Sequence, residues 1–341
     1  MGGLSSNEVA RYVAAAAVWA PSVHNTQPWR LRARGCELSL YSDPGRQLAL
    51  ADPAGREMLI SCGAALFTAR LALRSLGYIP EADVLPDPAQ PALVARLTWP
   101  RQASVTDFER LLLRQVPRRR THRGGFDPVP VSAALLDALR GAAARDGATL
   151  RILADPGDRA RLAAIVATAE RAQRMDAART AELARWAPPP GSRRPDGVPP
   201  TAYPARPPQT DPNFPARDFA HGHDWGLLPV ISAPRPRSAG VVTLLTTGAD
   251  QPADWVKAGH ALQRVLLTAG LGGVAAALHS QPLELDWLRE EVRAGFCAGG
   301  YPQLILRLGA VIQIEVSRRR PLDEVFTVVR TASGRGGDGD G

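Results

Sequence analysis

The stretch "APSVHNTQPW", residues 20 to 29, sets a serine, a histidine, an asparagine and a glutamine between two prolines. A hydroxyl and a carboxamide each donate and accept, so Ser22, Asn25 and Gln27 suit a ligand that carries hydroxyls and a C=O and N–H edge. Two further stretches are cationic, "RRRTHR" at 118–123 and "SRRRP" at 317–321. Guanidinium groups stay charged and present a planar fork of donors, which matches a phosphate. Arg119, Arg120 and Arg123 with the Thr121 hydroxyl offer such a set, and Arg318 and Arg320 offer a second. Each feature also has a plainer reading. A basic run is commonly a solvated face, and Asn25 and Gln27 are also turn-formers between Pro21 and Pro28. His24 alone reads as a structural histidine and Trp29 as a core residue.

Other chemistries find little support. "GLGG" lacks the strand before it and the helix after it that a dinucleotide fingerprint needs. Nothing reads as a Ser-His-Asp set. His221 and His223 flank a glycine, but two imidazoles without further ligands do not make a zinc site. No metal site is therefore expected. Cys36, Cys62 and Cys297 have no metal-type spacing, and their odd number fits a reducing compartment. The formal charge of +8 raises the question of nucleic acid. Lys257 is the single lysine, and the arginines are dispersed outside the two clusters, so no continuous phosphate footprint is present.

Apolar residues make up 45% and charged residues 22%, the balance of a globular chain. No apolar run reaches the roughly 18 residues of a bilayer span. The Ala-rich N-terminal stretch lacks a basic start and carries Glu8 and Arg11 in a helical pattern, unlike a secretory leader. The expectation is a cytoplasmic protein without membrane or nucleic-acid partners.

The elements that must position these residues follow from periodicity. At 341 residues the chain makes two domains or one domain with an insertion. Residues 5–20 read as a helix capped by Ser5 or Ser6 and closed by Pro21. "WRLRARGCELSLYSD" alternates on both sides of Arg34-Gly35, a hairpin signal. Residues 55–78 read as a buried helix ending at Gly77, 91–99 as a strand and 105–115 as a helix. Beyond residue 117 come helices at 132–147, 254–270 and 282–295, a helix pair over 158–186, and strands at 148–155, 240–248 and 303–312. The elements do not alternate in a βαβ beat, so the fold class is α+β. Between Pro188 and Pro236 the chain is dense in proline and glycine, which excludes ordinary helices and central strands. Its aromatics Tyr203, Phe214, Phe219 and Trp225 give this insertion apolar anchors, as in a lid that packs down. The Gly-rich tail reads as disordered. Residues 62–78 and 259–273 are both small-residue-rich apolar helices ending in glycine, which suggests a duplicated unit with its central helices face to face.

In their order along the chain these stretches resemble the nitroreductase family. "APSVHNTQPW" resembles its N-terminal cofactor motif, with Pro-Ser, an Asn, a Gln and Pro-Trp after the first helix. "RRTHRGGFD" (119–127) is similar to its basic motif, and "HALQRVLLTAGLGGVAAAL" (260–278) to its central helix and Gly-rich end. "YPQLILRLG" followed by "RRRPLDEV" is similar to its last core strand and basic C-terminal segment. The amide motif precedes the basic one, and a Pro-rich insertion lies between the copies. This order resembles the Acg branch, in which two nitroreductase-like halves are fused. The resemblance spans residues 5 to about 328.

The resemblance implies a nitroreductase-like α+β fold built as an internal pseudo-dimer, with a first half at 1–115 and a second at 116–330. A lid insertion would occupy about 187–238 and a disordered tail 331–341. It implies FMN as cofactor, its ring and ribityl chain contacted by Ser22, Val23, His24, Asn25 and Gln27. The phosphate would be held by Arg119, Arg120, Thr121 and Arg123 with Arg318 and Arg320. The turn Gln281, Pro282 and Leu283 would face the ring near N5. The implied activity is NAD(P)H-dependent reduction of a small aromatic, nitro or quinone acceptor, gated by the lid. The alternative is a protein that stores or sequesters FMN and has lost the reductase activity. One FMN per monomeric chain is expected, because a reciprocal site would need a basic motif ahead of the first helix, where "MGGLSSNEV" stands.

Overall fold

The computed structural model describes residues 4–204, 209–219, 237–311 and 317–329. Helix α1 (Ser6–Ala17) opens with a capping box in which the Ser5 hydroxyl accepts from the Glu8 N–H and the Glu8 carboxylate accepts from the Ser5 N–H. Strands β1 (Trp29–Arg34) and β2 (Glu37–Ser42) form the hairpin expected around Gly35, whose φ of +56° suits a residue without a side chain. Helix α2 (Arg56–Ser75), β3 (Tyr78–Val84), β4 (Leu93–Gln102) and α3 (Asp107–Gln115) follow. The alternating burial of β1 leaves one face of this sheet to solvent, while α1 and α2 cover the other.

Next come α4 (Ala133–Ala144), β5 (Thr149–Ile152), α5 (Pro156–Met175) and α6 (Ala177–Arg185). Two-residue strands β6 (Thr210–Asp211) and β7 (Arg237–Ser238) pair with each other. Then β8 (Val241–Thr247), α7 (Pro252–Leu271), β9 (Ala275–Leu278), α8 (Asp286–Phe296) and β10 (Tyr301–Gly309) complete a second sheet of order β5-β8-β10-β9. Helices lie on both faces of it, α4 and α7 on one and α5 and α8 on the other. This explains why β8 and β10 are buried at almost every position rather than alternating.

The described residues end with a short helix α9 (Leu322–Val325), β11 (Phe326–Val328) and Val329. Strand β11 lies parallel to β1, so the first sheet has the order β11-β1-β2-β4-β3, with its edge supplied by the far end of the chain. The long helices α2 and α7 pack against each other between the sheets. Among the described residues α2 is long and apolar enough to cross a membrane, but here most of it is buried within the fold.

Besides the two-residue strands β6 and β7, three strands were not legible in the pattern. Strand β3 contains Pro80 and alternates poorly, β9 is a run of alanines ending in Leu278, and β11 has three residues. Each is held by a neighbouring strand that supplies the pairing which its own composition does not announce. The expected lid anchors Tyr203, Phe214 and Phe219 are buried. Trp225, His221, His223 and the tail at 331–341 lie outside the described residues.

Candidate functional site

Pro21 ends the chain's first helical segment, and residues 23–25 turn sharply. His24, Asn25 and Gln27 have φ of +45°, +55° and +50°, left-handed backbone that non-glycine residues rarely adopt. Such a turn persists only when its surroundings hold it. The Ser22 hydroxyl accepts from the Gln27 N–H at 3.0 Å, and the Val23 N–H donates to the Ser61 hydroxyl of α2 at 3.3 Å. The Asn25 carboxamide donates to Gly197 O at 3.0 Å and Arg318 O at 3.2 Å and accepts from Arg319 Nη1 at 3.2 Å. Gln27 donates to Pro195 O at 2.9 Å and accepts from the Arg320 N–H at 2.7 Å. These two side chains therefore tie three distant segments together, the turn itself, the start of the Pro-rich insertion and the basic C-terminal segment. Asn25 still lines a chamber beside it, while Gln27 is fully buried on its backbone partners.

What they tie together is a basic chamber. Arg119, Arg120, Arg123 and Arg319 line it with Ser22, Asn25 and Thr121, and among the described residues no carboxylate does. Arg119 is 9% exposed, and its Nε and Nη1 have no hydrogen-bond partner among the described residues. Burial, then the charges of Arg120 and Arg123, push its pKa down to about 9. Burial likewise holds Arg319 well below the ordinary guanidinium value, with Arg119, Arg120 and Arg123 adding repulsion. The Arg319 Nε is also without a partner. Arg120 and Arg319 both lie over the Trp19 ring, at 5.0 and 5.6 Å. Arg119 and Arg319 converge in a desolvated space that no carboxylate lines among the described residues, an arrangement that an anion would relieve.

The chamber opens into a larger groove and shares Pro21, Ser22, Thr121 and Arg123 with it. Ile60 of α2 and Leu262 of α7 meet Leu304 of β10 on its walls, and the cavity they enclose has a volume of about 110 Å³. That is below the roughly 300–1,000 Å³ of open small-molecule sites, as befits a groove that the Pro-rich insertion covers. Tyr203, Ala216, Arg217 and Phe219 line the groove from the Pro-rich insertion. Tyr203 stacks on Phe219 at 5.7 Å, and Phe219 meets His24 edge-on at 5.5 Å. Burial, then the charges of Arg217 and Arg123, hold His24 well below its ordinary pKa, so it is neutral. Arg217 ties the insertion down through Glu284 at 2.5 Å, Gln173 at 3.0 Å and Ser280 at 3.3 Å. Glu57 completes the wall. Burial, then the charge of Glu284, pushes its pKa up to about 8 despite Arg56 at 3.0 Å.

No protein-family model matches the sequence. A Mycobacterium tuberculosis protein named "Putative NAD(P)H nitroreductase Rv3131" is 38% identical over 94% of this chain and 91% of that protein. The chain belongs to the nitroreductase family. A second M. tuberculosis nitroreductase, named for acg, is 30% identical over 91% of this chain and 92% of the relative. Among solved structures, a nitroreductase with bound FMN from Desulfitobacterium hafniense aligns at a TM-score of 0.36 and 17% identity, over 64% of this chain and 98% of that one.

Within this nitroreductase the remaining expected residues fall differently. Arg318 is exposed and donates to Arg193 O at 3.1 Å, while Arg320 turns to Glu324 at 3.3 Å. Arg319, which sequence reasoning passed over, is the one that enters the chamber. Successive side chains of a non-helical segment point different ways, so a run of three arginines does not say which faces inward. Gln281, Pro282 and Leu283 form a buried single turn away from the groove. Gln281 is held by Glu170 at 3.3 Å, and Leu283 packs among α5 and α8. The groove wall comes instead from Ala277 to Ser280, just ahead of that turn. The missed contributors Glu57, Arg217 and His279 carried no motif. Only an unusual placement of charge inside apolar runs could have signalled Glu57.

Proposed function

We propose that this nitroreductase binds one FMN per chain and uses it as an NAD(P)H-dependent oxidoreductase for a small aromatic, nitro or quinone acceptor. The observation that carries the reading is the basic chamber. Among the described residues Arg119 and Arg319 have buried guanidinium atoms without a partner, in a space that no carboxylate lines, which fits a dianionic phosphate. The chamber adjoins a groove whose apolar walls, Ile60, Leu262 and Leu304, suit the faces of a flat heteroaromatic ring. No dinucleotide fingerprint accompanies it, which favours FMN over FAD.

In this reading Arg119, Arg120, Arg123, Arg319 and Thr121 hold the phosphate, and Ser22 and Val23 line the passage to the ring. His24 shapes the same wall. FMN, when bound, supplies two-electron transfer. Ile60, Leu262 and Leu304 exclude water from the faces of the groove. The Glu57 carboxyl, kept protonated at neutral pH by burial, holds a proton at the groove wall, where reduction of a nitro or quinone oxygen needs one. The two halves, 1–115 and 116–330, act as an internal pseudo-dimer around α2 and α7, and the Pro-rich insertion acts as the lid.

A second reading, sequestration of FMN without turnover, is favoured by one observation. Tyr203, Phe219 and Arg217 cover the groove, and Arg217 is pinned to a Glu284 carboxylate whose side chain is 0% exposed. Purified protein that is yellow and releases FMN on denaturation supports the cofactor; release of FAD, or failure to take up added FMN, overturns it. Stopped-flow mixing with NADH and NADPH then separates the two readings. Bleaching of the flavin within seconds supports turnover, and a flavin that stays oxidised supports sequestration.

A further inference from the structure

Arg307 of β10 is 1% exposed and has no carboxylate partner among the described residues. It lies between the rings of Phe126 and Phe214, 5.4 Å from each, and donates to Ala239 O at 3.0 Å and Gly124 O at 3.3 Å. Its Nε donates to His279 Nε2 at 2.8 Å. A guanidinium Nε always carries its hydrogen, so His279 Nε2 is an acceptor, and the single proton of the neutral ring sits on Nδ1. Burial, then the charges of Arg307 and Arg217, keep that ring neutral. Arg307 thus chooses the tautomer.

The chosen donor has nothing to donate to. His279 is 3% exposed, and its Nδ1 has no partner among the described residues, although His279 lines the groove. Buried donors without acceptors are rare in folded proteins. Neighbouring donors in the fold have their acceptors, as with Ser280, whose hydroxyl donates to Glu284 at 2.7 Å.

We propose that His279, fixed by Arg307, is a positioning residue whose Nδ1–H donates to an acceptor atom on the edge of the flavin ring. This rests on the FMN reading above and adds a residue to it. The ring acceptors of a flavin are its carbonyl oxygens and unprotonated nitrogens, which match one neutral, fixed N–H.

Two conservative variants separate donor from scaffold. His279→Gln keeps an acceptor for Arg307 near the Nε2 position and removes the Nδ1–H. His279→Asn keeps an N–H near the Nδ1 position and leaves Arg307 Nε without its acceptor. FMN and lumiflavin, the ring without ribityl or phosphate, are titrated into flavin-stripped full-length protein, with thermal melting alongside. The expected result is that His279→Gln melts near wild type but binds both ligands about five- to tenfold more weakly, the scale of one neutral hydrogen bond. His279→Asn melts lower yet stays within about threefold of wild-type affinity for both ligands. Wild-type affinity in His279→Gln, the reverse order of the two variants, or a loss confined to FMN overturns the assignment. Wild-type protein that binds neither ligand overturns the flavin reading itself, and this is a different outcome from an unaffected His279→Gln.

Discussion

Gly63 of α2 and Gly259 of α7 meet where the two helices cross, with no room for a side chain on either. A Cβ on Gly63 would stand 2.2 Å from Val256 O, and one on Gly259 would stand 2.0 Å from Ile60 O. Each glycine admits the backbone of the opposite helix, and the groove walls Ile60 and Leu262 are positioned by that contact.

Gly259→Ala is therefore expected to force the helices apart. Overpacking of this kind costs about 1–3 kcal/mol, and here backbone rather than a yielding side chain opposes the methyl group. A denaturant midpoint at the wild-type value would show that the crossing tolerates the methyl group. Gly141→Ala, where an added Cβ meets nothing within 4 Å, is the matched control.

Arg319→Ala should weaken FMN binding by tenfold or more, since a hydrogen bond to a charged group contributes about 1.5–3 kcal/mol. Arg318→Ala should change it by less than about threefold, because Arg318 is exposed and bonded only to Arg193 O. The comparison discriminates because the two residues are adjacent in sequence. Equal losses by fluorescence titration would mean that only the net charge of the segment matters.

Arg217→Ala removes the tie between the insertion and Glu284, Gln173 and Ser280. Iodide should then quench the bound flavin's fluorescence more strongly, and dithionite should reduce it faster. Unchanged quenching and reduction would place the insertion's hold on the groove elsewhere, in the Tyr203 and Phe219 stack.

Glu57 sets a pH dependence of stability. Its carboxyl is raised from 4.5 to about 8 in the fold, chiefly by burial. Between those values the folded state binds more protons than the unfolded chain, so this group's contribution to stability falls as pH rises from about 4.5 to 8. Asp52, raised to about 6 by burial, adds the same sign over a lower window. Glu57→Gln should flatten the melting temperature between pH 5 and pH 8, with its largest gain over wild type at the alkaline end. Parallel curves for the two proteins across that range would remove Glu57 as the cause.

The sequence by itself determined the helices, the hairpin at Gly35 and the α+β class, because caps, periodicity and turn residues act over a few neighbours. The basic cluster at 118–123 was legible too, since charge and residue type are visible without geometry. Only the tertiary structure decided which arginine of 318–320 enters the chamber, because a non-helical run has no period to read. The same holds for Asn25 and Gln27. Their partners, Gly197, Pro195, Arg318, Arg319 and Arg320, come from segments far along the chain, and only folding brings them within hydrogen-bond reach. Strand β11 has three residues and no alternation to speak of, and it exists because β1 offers an unpaired edge. Local chemistry wrote the elements, and long-range pairing chose which of their polar groups were left facing the groove.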